Sequence, residues 1–248
     1  MNDAKIRVGV LGARGRMGTE VCNAVTGAGD MELVATIDDG DGFDPLATAQ
    51  VVVDFTTPDS VLGNIDWCLE HGVHMVIGTS GFTTERIELV RDRLATRPDL
   101  GIVIAPNFAV GAVLLMEFAA KAARHFESVE IVEMHHPKKI DAPSGTALRT
   151  AQIIAEARAE AGLGAVPDAT KEELAGARGS DVEGVRVHAI RATGLVAHQE
   201  VLFGTAGETL TLRHDSYDRA SFMPGVLLAV RSVLSRPGLT VGLGSLLG

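Results

Sequence analysis

Two imidazoles, two ammonium groups and a Ser-Gly-Thr helix start fall within the eighteen residues from Glu130 to Ala147. The basic side chains are those of His135, His136, Lys138 and Lys139. Pro143 and Ser144 then indicate the end of a loop and the N-cap of an alanine-rich helix, whose first N–H groups and dipole attract anions. The segment therefore predicts a site for a small substrate that carries carboxylates. The alternative is a solvated basic loop in which Pro-Ser-Gly only starts a helix.

A strand predicted around Val129, Ile131 and Val132 delivers the histidine pair to this loop. Through the first hundred residues, short β-branched runs alternate with helical stretches, which is the pattern of a parallel sheet with covering helices. The predicted strands are Ile6–Leu11, Leu33–Ile37, Val51–Phe55, His74–Ile77 and Ile102–Ile104, and the predicted helices are Met17–Ala28, Ser60–His71 and Thr84–Thr96.

The pattern changes after Pro106, where a long helix is predicted over Val110–Phe126. Further strands follow one another at Val185–Ala192, Glu200–Phe203 and Thr209–Leu212. Such a run predicts an antiparallel or mixed sheet, and hence a second domain of α+β type. The segment from 162 to 184 is expected to be an extended loop with a short helix at most. A final amphipathic helix is predicted over Ser221–Ser235.

The first predicted strand runs into the turn Gly12-Ala13-Arg14-Gly15-Arg16-Met17-Gly18 and then into a helix. Glycines at such a turn let backbone N–H groups approach a pyrophosphate at the helix start, as in dinucleotide-binding folds. The spacing is Gly-x-x-Gly-x-x-Gly rather than Gly-x-Gly-x-x-Gly, so the motif alone is weak evidence.

Asp38 closes the second predicted strand, where a carboxylate would accept both ribose hydroxyls of NAD; an ordinary acid at a strand end is the equally plausible alternative. Asp38 and Asp39 would repel the 2′-phosphate of NADPH, whereas Arg14 and Arg16 could compensate through bidentate contacts. This balance of charges favours NADH, with NADPH accepted.

Composition excludes several classes of function. A net charge of −10 and an aromatic content of 4% disfavour nucleic-acid binding. The apolar stretch Gly101–Ala120 is interrupted by Pro106-Asn107 and contains Glu117, so we expect no membrane span. Neither a secretory signal nor a metal-ligand spacing is evident, and Cys22 and Cys68 are interpreted as reduced thiols. We therefore expect a soluble cytoplasmic protein without a metal.

The whole string Glu-Ile-x-Glu-x-His-x-x-x-Lys-x-Asp-x-Pro-Ser-Gly-Thr-Ala resembles the signature of the dihydrodipicolinate reductase family, and every signature position is filled. The glycine turn, the Gly78–Phe82 loop, the Ala105–Phe108 loop and the Arg213–Ser216 segment also occur in the order typical of the family. The resemblance thus covers nearly the whole chain. It implies reduction of 4-hydroxy-tetrahydrodipicolinate, by way of dihydrodipicolinate and with loss of water, to tetrahydrodipicolinate in the diaminopimelate route to lysine.

The resemblance also implies an architecture. A Rossmann-like dinucleotide-binding domain would comprise residues 1–106 and be completed by residues 215–248, with Arg213–Ser216 marking the return. A substrate-binding and oligomerisation domain would comprise residues 107–214. Members of the family generally form homotetramers through the sheet of the second domain, which the exposed strand edges predicted here would allow.

Site roles follow from the resemblance residue by residue. His135 and Lys139 match the catalytic positions. Lys139 would donate a proton at ring C3 or at the ring nitrogen, and His135 would either donate a proton or orient a carboxylate. His136, Gly145 and Thr146 would bind the two substrate carboxylates. Lys138 is expected to be exposed, and Asp141 to fix the loop or pair with a cation. The residues expected to contact NADH or NADPH are Gly12, Ala13, Arg14, Gly15, Arg16, Met17, Asp38, Gly78, Thr79, Ser80, Ala105, Pro106, Asn107 and Phe108.

Two other functions compete with this interpretation. One is a sibling reductase of the same architecture acting on another small dicarboxylate, which would lack the unbroken signature loop. The other is a non-catalytic NAD(H)-binding sensor, which would lack the proton-donor pair. This chain has both the loop and the pair.

Overall fold

A computed structural model describes residues 4–248, which fall into two compact units. The first unit ends at Val110 and resumes over Arg219–Gly248, and the second is Gly111–Asp218. The boundaries predicted after residues 106 and 214 thus lie four residues before those of the units. The first three residues of the predicted nucleotide domain lie outside the described part of the chain.

The first unit contains a six-stranded parallel sheet in the order β11-β5-β4-β3-β1-β2. Its strands are β1 (Ile6–Leu11), β2 (Met31–Ile37), β3 (Val51–Asp54), β4 (His74–Ile77), β5 (Gly101–Ile104) and β11 (Gly238–Val241). Strands β3, β4 and β5 are almost wholly buried, as the continuous apolar runs of a covered parallel sheet predict.

Helices of the first unit are α1 (Arg16–Gly27), α2 (Val61–His71), α3 (Thr84–Leu94), α6 (Met223–Val233) and α7 (Gly244–Leu247). Short 3₁₀ helices lie at Asp44–Thr48 and Arg219–Phe222. Helix α6 contacts α1 and β4. A core of aliphatic side chains lies between the sheet and its helices, including Ile65 from α2 and Met75 from β4.

The second unit contains a five-stranded mixed sheet in the order β10-β9-β6-β8-β7, in which only β6 and β8 run parallel. Its strands are β6 (Ser128–His135), β7 (Ser180–Val182), β8 (Val185–Arg191), β9 (Ala197–Thr205) and β10 (Glu208–Ser216). Helices α4 (Val110–Ala123) and α5 (Gly145–Glu160) contribute to its core together with alternate residues of the strands. The predicted fold class, a Rossmann-like parallel sheet plus an α+β unit, is confirmed.

Several details differ from the sequence-based expectations. The segment from 162 to 184 contains no helix and ends in strand β7, which antiparallel pairing with β8 stabilises. The Arg213–Ser216 segment, predicted as the return between domains, is the end of β10, because it pairs with β9. Strand β11 was not predicted, since it is short and begins at the glycine of a Pro-Gly pair.

Candidate active site

The glycine turn after β1 leaves no room for side chains at two of its glycines. Gly12 has a φ of +76°, and a Cβ there would lie 2.6 Å from the carbonyl oxygen of Phe55. A Cβ at Gly18 would lie 2.0 Å from the carbonyl oxygen of Gly12. The turn therefore brings the backbone close to itself at the N-terminus of α1, where the first N–H groups of a helix lack intrahelical acceptors.

Asp38 follows β2 and lies next to this turn. Its Oδ2 accepts the backbone N–H of Arg14 at 2.7 Å, and its Oδ1 accepts that of Asp39 at 2.9 Å. The N–H groups of Asp39 and Arg14, together with the guanidinium of Arg14, lower the pKa of Asp38. The carboxylate is therefore ionised at neutral pH and available as a hydrogen-bond acceptor.

Arg14 is already engaged by a second carboxylate. Its Nη2 donates to Asp41 Oδ2 at 2.8 Å, and that same oxygen accepts the backbone N–H of Asp38 at 2.9 Å. Sequence analysis assigned no role to Asp41. The structure thus places two acidic side chains, those of Asp38 and Asp41, beside one guanidinium.

A cavity of about 450 Å³ opens beside the turn. It is lined by Gly12, Gly15 and Asp38 among the predicted residues, together with Asp41, Phe43 and the Phe55–Thr57 loop. A glycine cradle, an ionised acid and an adjoining cavity fit the pyrophosphate and ribose of a dinucleotide. Of the other turn residues, Ala13, Arg14, Arg16 and Met17 do not line this cavity.

The loops after β4 and β5 meet at a smaller cavity of about 200 Å³, which Gly78, Thr79, Ser80 and Pro106 line. The other predicted residues of the β5 loop do not line this cavity. Ala105 and Phe108 are buried, and Asn107 Oδ1 accepts the N–H of Ala109 at 2.8 Å.

Asp54, at the end of β3, was not singled out from the sequence and is completely buried. Its Oδ1 accepts the N–H and hydroxyl of Thr56 and the hydroxyl of Thr79 at 2.7–2.9 Å, and its Oδ2 accepts Asn64 Nδ2 at 2.7 Å. One carboxylate thereby ties the β3 loop to the β4 loop. An acid at the carboxyl end of a buried parallel strand was the signal that could have identified it.

In the second unit, His135 is the last residue of β6 rather than part of the loop. Its Nδ1 lies 2.6 Å from Glu133 Oε2, and the Glu133 side chain is completely buried. Arg191, at the end of β8, reaches both carboxylate oxygens of Glu133 at 2.8 Å. Neither Glu133 nor Arg191 was assigned a role from the sequence, although Glu133 belongs to the signature.

The pKa values of this cluster follow from its partners. Burial alone would raise the pKa of Glu133, but hydrogen bonds from Arg191 and His135 outweigh it and lower the pKa. Burial lowers the pKa of His135, the bond to Glu133 opposes this, and the positive charges of Lys139 and Arg191 add to the lowering. Glu133 is therefore an anion at neutral pH, and His135 is mainly neutral.

Lys139 is paired, as expected, with the acid of the signature. Its Nζ donates to Asp141 Oδ1 at 2.7 Å, and this bond lowers the pKa of Asp141. His136 and Lys138 are exposed. The positive charge of Lys139 acts on His135, so the structure brings the predicted catalytic pair into one electrostatic environment.

The loop ends at Ser144, the predicted N-cap of α5, whose Oγ accepts the N–H of Ala147 at 3.2 Å. Gly145 is exposed and Thr146 is partly exposed in the first turn of this sixteen-residue helix. The helix start thus presents N–H groups and a hydroxyl near a basic loop, an arrangement that suits an anionic ligand. Among residues 4–248, no group of three or more His, Cys, Asp or Glu side chains could hold a metal ion.

Comparisons with known proteins agree with this geometry. Two family models match, "Dihydrodipicolinate reductase, N-terminus" over residues 6–108 and "Dihydrodipicolinate reductase, C-terminus" over residues 111–247. The 4-hydroxy-tetrahydrodipicolinate reductase of Cutibacterium acnes is 62% identical over 98% of this chain and 99% of its own. That of Nocardia farcinica is 63% identical over 96% of this chain and 97% of its own.

Solved structures give the same result. The dipicolinate-bound dihydrodipicolinate reductase from Paenisporosarcina sp. TG-14 superposes with a TM-score of 0.88 at 41% identity, covering 97% of this chain and 99% of that one. An engineered D-amino acid dehydrogenase bound to NADP⁺ superposes with a TM-score of 0.58 at 14% identity, which is a likeness of fold alone. The resemblance read from the signature is confirmed: this chain belongs to the dihydrodipicolinate reductase family.

Proposed function

We propose that His135 and Lys139 carry out the proton chemistry of a nicotinamide-dependent reductase, and that Gly145 and Thr146 hold its substrate. The chain is an oxidoreductase of the diaminopimelate route to lysine, which reduces 4-hydroxy-tetrahydrodipicolinate to tetrahydrodipicolinate. The observation that carries the site assignment is the juxtaposition of Lys139, the Glu133–His135 pair and the N-terminus of α5.

The reaction needs a hydride and a proton. Loss of the 4-hydroxyl group as water gives dihydrodipicolinate, in which ring C4 is electrophilic through conjugation with the ring imine. A reduced nicotinamide held by the glycine turn and Asp38 would be the source of the hydride for C4. The carbon next to it, C3, then requires a proton from a general acid. Lys139 Nζ donates to Asp141 and is a donor-only group, whereas the environment of His135 favours the neutral imidazole. We assign proton donation to Lys139 and orientation of the ring to His135.

The substrate carboxylates are assigned to the helix start. Gly145 carries no side chain that could screen the first N–H groups of α5, and Thr146 adds a hydroxyl. His136 is exposed at the other end of the loop and can bind the second carboxylate. Two anionic groups would thus be held at both ends of a loop whose centre carries Lys139.

The nicotinamide cofactor is assigned to the first unit, with the pyrophosphate at Gly12–Met17 and the ribose hydroxyls on Asp38. The Gly78–Ser80 and Ala105–Phe108 loops would adjoin the nicotinamide. We propose NADH as the preferred form and NADPH as an accepted one. Arg14, one of the two arginines expected to compensate a 2′-phosphate, is held by Asp41, so that part of its charge is already neutralised.

A kinetic assay tests the proposal. NADH oxidation is followed at 340 nm with freshly condensed pyruvate and aspartate semialdehyde. We expect Lys139→Ala to lower kcat by about 10²-fold or more, the usual size of a general-acid contribution, with little change in the Kd of NADH. Lys138→Ala, one residue away and exposed, is the matched control and should retain kcat within about twofold. Equal kcat values for the two variants would remove Lys139 from the chemistry.

We further propose a homotetramer assembled through the second-unit sheet, in the cytoplasm. One face of this sheet lies away from the aliphatic core and carries Ile190 and Leu202, each 43% exposed. Both cysteines are free thiols, which fits a reducing compartment. Among the described residues, no helix is long and apolar enough to cross a membrane. Light scattering should give four times the chain mass, and Leu202→Glu should reduce it.

A further inference from the structure

We infer that Glu133 is the positioning residue of the site: it fixes His135 with the proton on Nδ1 and Nε2 directed away from the carboxylate, and it anchors the substrate loop at the same time. This inference rests on the proposed function and names a residue to which sequence analysis gave no role. It follows from the placement of Glu133, from its hydrogen-bond partners and from the chemistry of an ionised carboxylate.

Glu133 occupies a position where the strand pattern calls for an apolar side chain. Alternate residues of β6 share one face, and Val129 and Ile131 on that face are completely buried in the core of the second unit. Glu133 comes next on the same face and is equally buried. A carboxylate in such a place costs free energy unless its partners compensate for lost hydration, so packing alone does not account for it.

The partners account for nearly all of the acceptor capacity of the carboxylate. Oε1 accepts the backbone N–H of Ser144 at 3.0 Å and Arg191 Nη2 at 2.8 Å. Oε2 accepts Arg191 Nη1 at 2.8 Å and faces His135 Nδ1 at 2.6 Å. An ionised carboxylate has no proton to donate, so Nδ1 must carry the proton of this last bond. The neutral imidazole is thereby held as a single tautomer, with Nε2 as its unprotonated nitrogen.

The same network holds both sides of the substrate loop. His135 is the last residue before the loop and Ser144 ends it, and both bind Glu133. Arg191 also donates to the backbone carbonyl oxygen of Asp141 at 2.7 Å, and the carboxylate of that same residue pairs with Lys139. The buried Glu133 carboxylate therefore holds the His135 imidazole and the start of α5 directly, and it holds the Lys139–Asp141 pair through Arg191. Loss of that anion should disturb the turnover of bound substrate more than the binding of NADH in the first unit.

The test compares Glu133→Gln with Glu130→Gln. Glu130 lies on the opposite face of the same strand and pairs with an arginine and a histidine in the same manner, through Arg178 and His188. We expect Glu133→Gln to lower kcat by about 10²-fold, as loss of a correctly oriented proton-transfer group does, and to shift the pH profile of kcat. Glu130→Gln should keep kcat and its pH profile within about twofold.

A second measurement does not depend on whether Glu133→Gln folds. Two-bond ¹H–¹⁵N spectra of wild-type protein, with the His135 signals assigned by their loss in His135→Asn, distinguish an Nδ1–H from an Nε2–H imidazole. We expect Nδ1–H at neutral pH. An Nε2–H form in wild type would overturn the inference, as would a folded Glu133→Gln protein with the kcat and pH profile of Glu130→Gln. Absence of turnover in wild type would instead refute the proposed function, and the tautomer would still be readable.

Discussion

Two buried carboxylates organise the two units by different means. Asp54 at the end of β3 and Glu133 near the end of β6 are both completely inaccessible to solvent. The groups that donate to Asp54 are uncharged hydroxyl, amide and backbone N–H groups. Those around Glu133 include the guanidinium of Arg191 and the imidazole of His135. The first arrangement orders loops, and the second also controls a titratable group.

The difference matches the task proposed for each unit. A nucleotide site needs backbone groups held at fixed places, which hydrogen bonds from Thr56, Thr79 and Asn64 to one anion achieve. A proton-transfer site needs charges whose fields act on one another. The Asp54 carboxylate does affect one titratable group. Burial raises the pKa of the Cys68 thiol, and the Asp54 carboxylate raises that pKa further. That effect keeps a buried cysteine protonated, which is a structural outcome.

Isosteric amides at the two positions would separate these arrangements most sharply. Glu133→Gln leaves the Arg191 guanidinium without its counter-ion, and breaking a buried ion pair from one side costs about 3–5 kcal/mol of unfolding free energy. Asp54→Asn turns an amide N–H₂ toward neutral donors, which should cost about 1–3 kcal/mol. Urea unfolding at pH 7 measures both. The exposed Glu208→Gln is the control and should stay within about 0.5 kcal/mol of wild type. An equal cost for the two amides would contradict the comparison.

The Glu133 contribution should also depend on pH. Its folded-state pKa is lowered from the ordinary value of 4.5, so the unfolded chain binds more protons as the pH falls. The stabilisation is fully present above pH 4.5 and is lost as the pH falls through the folded-state pKa. We therefore expect the gap in unfolding free energy between wild type and Glu133→Gln to narrow below pH 4.5. A gap that stays constant from pH 7 to pH 3 would exclude an ionised Glu133 as its cause.

Substitution of Gly78 tests whether the stability and NADH binding of the first unit depend on close packing in the loop after β4. A Cβ at Gly78 would lie 2.2 Å from the ring of Phe55, and Phe55 in turn contacts Phe108 at a ring separation of 5.7 Å. We expect Gly78→Ala to cost about 1–3 kcal/mol through overpacking. It should also weaken NADH binding, measured by fluorescence titration. The exposed Gly63 of α2, whose Cβ would meet nothing within 4 Å, is the matched control. Gly63→Ala should stabilise the protein by up to about 1 kcal/mol and leave the Kd unchanged.

Local patterns predicted most of the fold. Strands β1 and β4 have the predicted bounds, because a short β-branched run followed by Gly or Pro leaves few alternatives. The resemblance placed the return between domains at Arg213–Ser216, but the polar residues of this segment belong to β10. In the structure they form cross-strand pairs, such as Arg213 with Glu200 and Asp215 with His198 on β9. Such pairing depends on a partner strand that local sequence does not identify.

In the candidate site, too, contacts between residues close in sequence were predicted and contacts between distant residues were not. The glycine turn, the Ser144 cap and the Lys139–Asp141 pair join residues close in sequence, and all three were visible in the motifs. Glu133 and Arg191 are 58 residues apart, and Asp54 and Thr79 are 25 apart. These partners meet only through sheet topology, in which β6 adjoins β8 and β3 adjoins β4. The sequence therefore identified the groups that are proposed to touch ligands. It did not identify the residues that hold those groups in place.

The smallest expected change in unfolding free energy is that of removing a helix cap, and one such cap can be compared in each unit. Ser144 caps α5 by accepting the N–H of Ala147, and Thr83 caps α3 by accepting that of Arg86. Each change to alanine should cost about 1 kcal/mol of unfolding free energy, because an N–H group in the first helical turn loses its side-chain acceptor.

The two caps should differ in their effect on kinetics. Ser144 lies between Glu133 and the proposed carboxylate site, so Ser144→Ala should raise the substrate KM, whereas Thr83→Ala should leave it unchanged. The assay at 340 nm with saturating NADH measures both. If both variants lose similar stability and neither alters KM, the α5 start is a structural cap only, and the substrate carboxylates must be bound elsewhere on the basic loop.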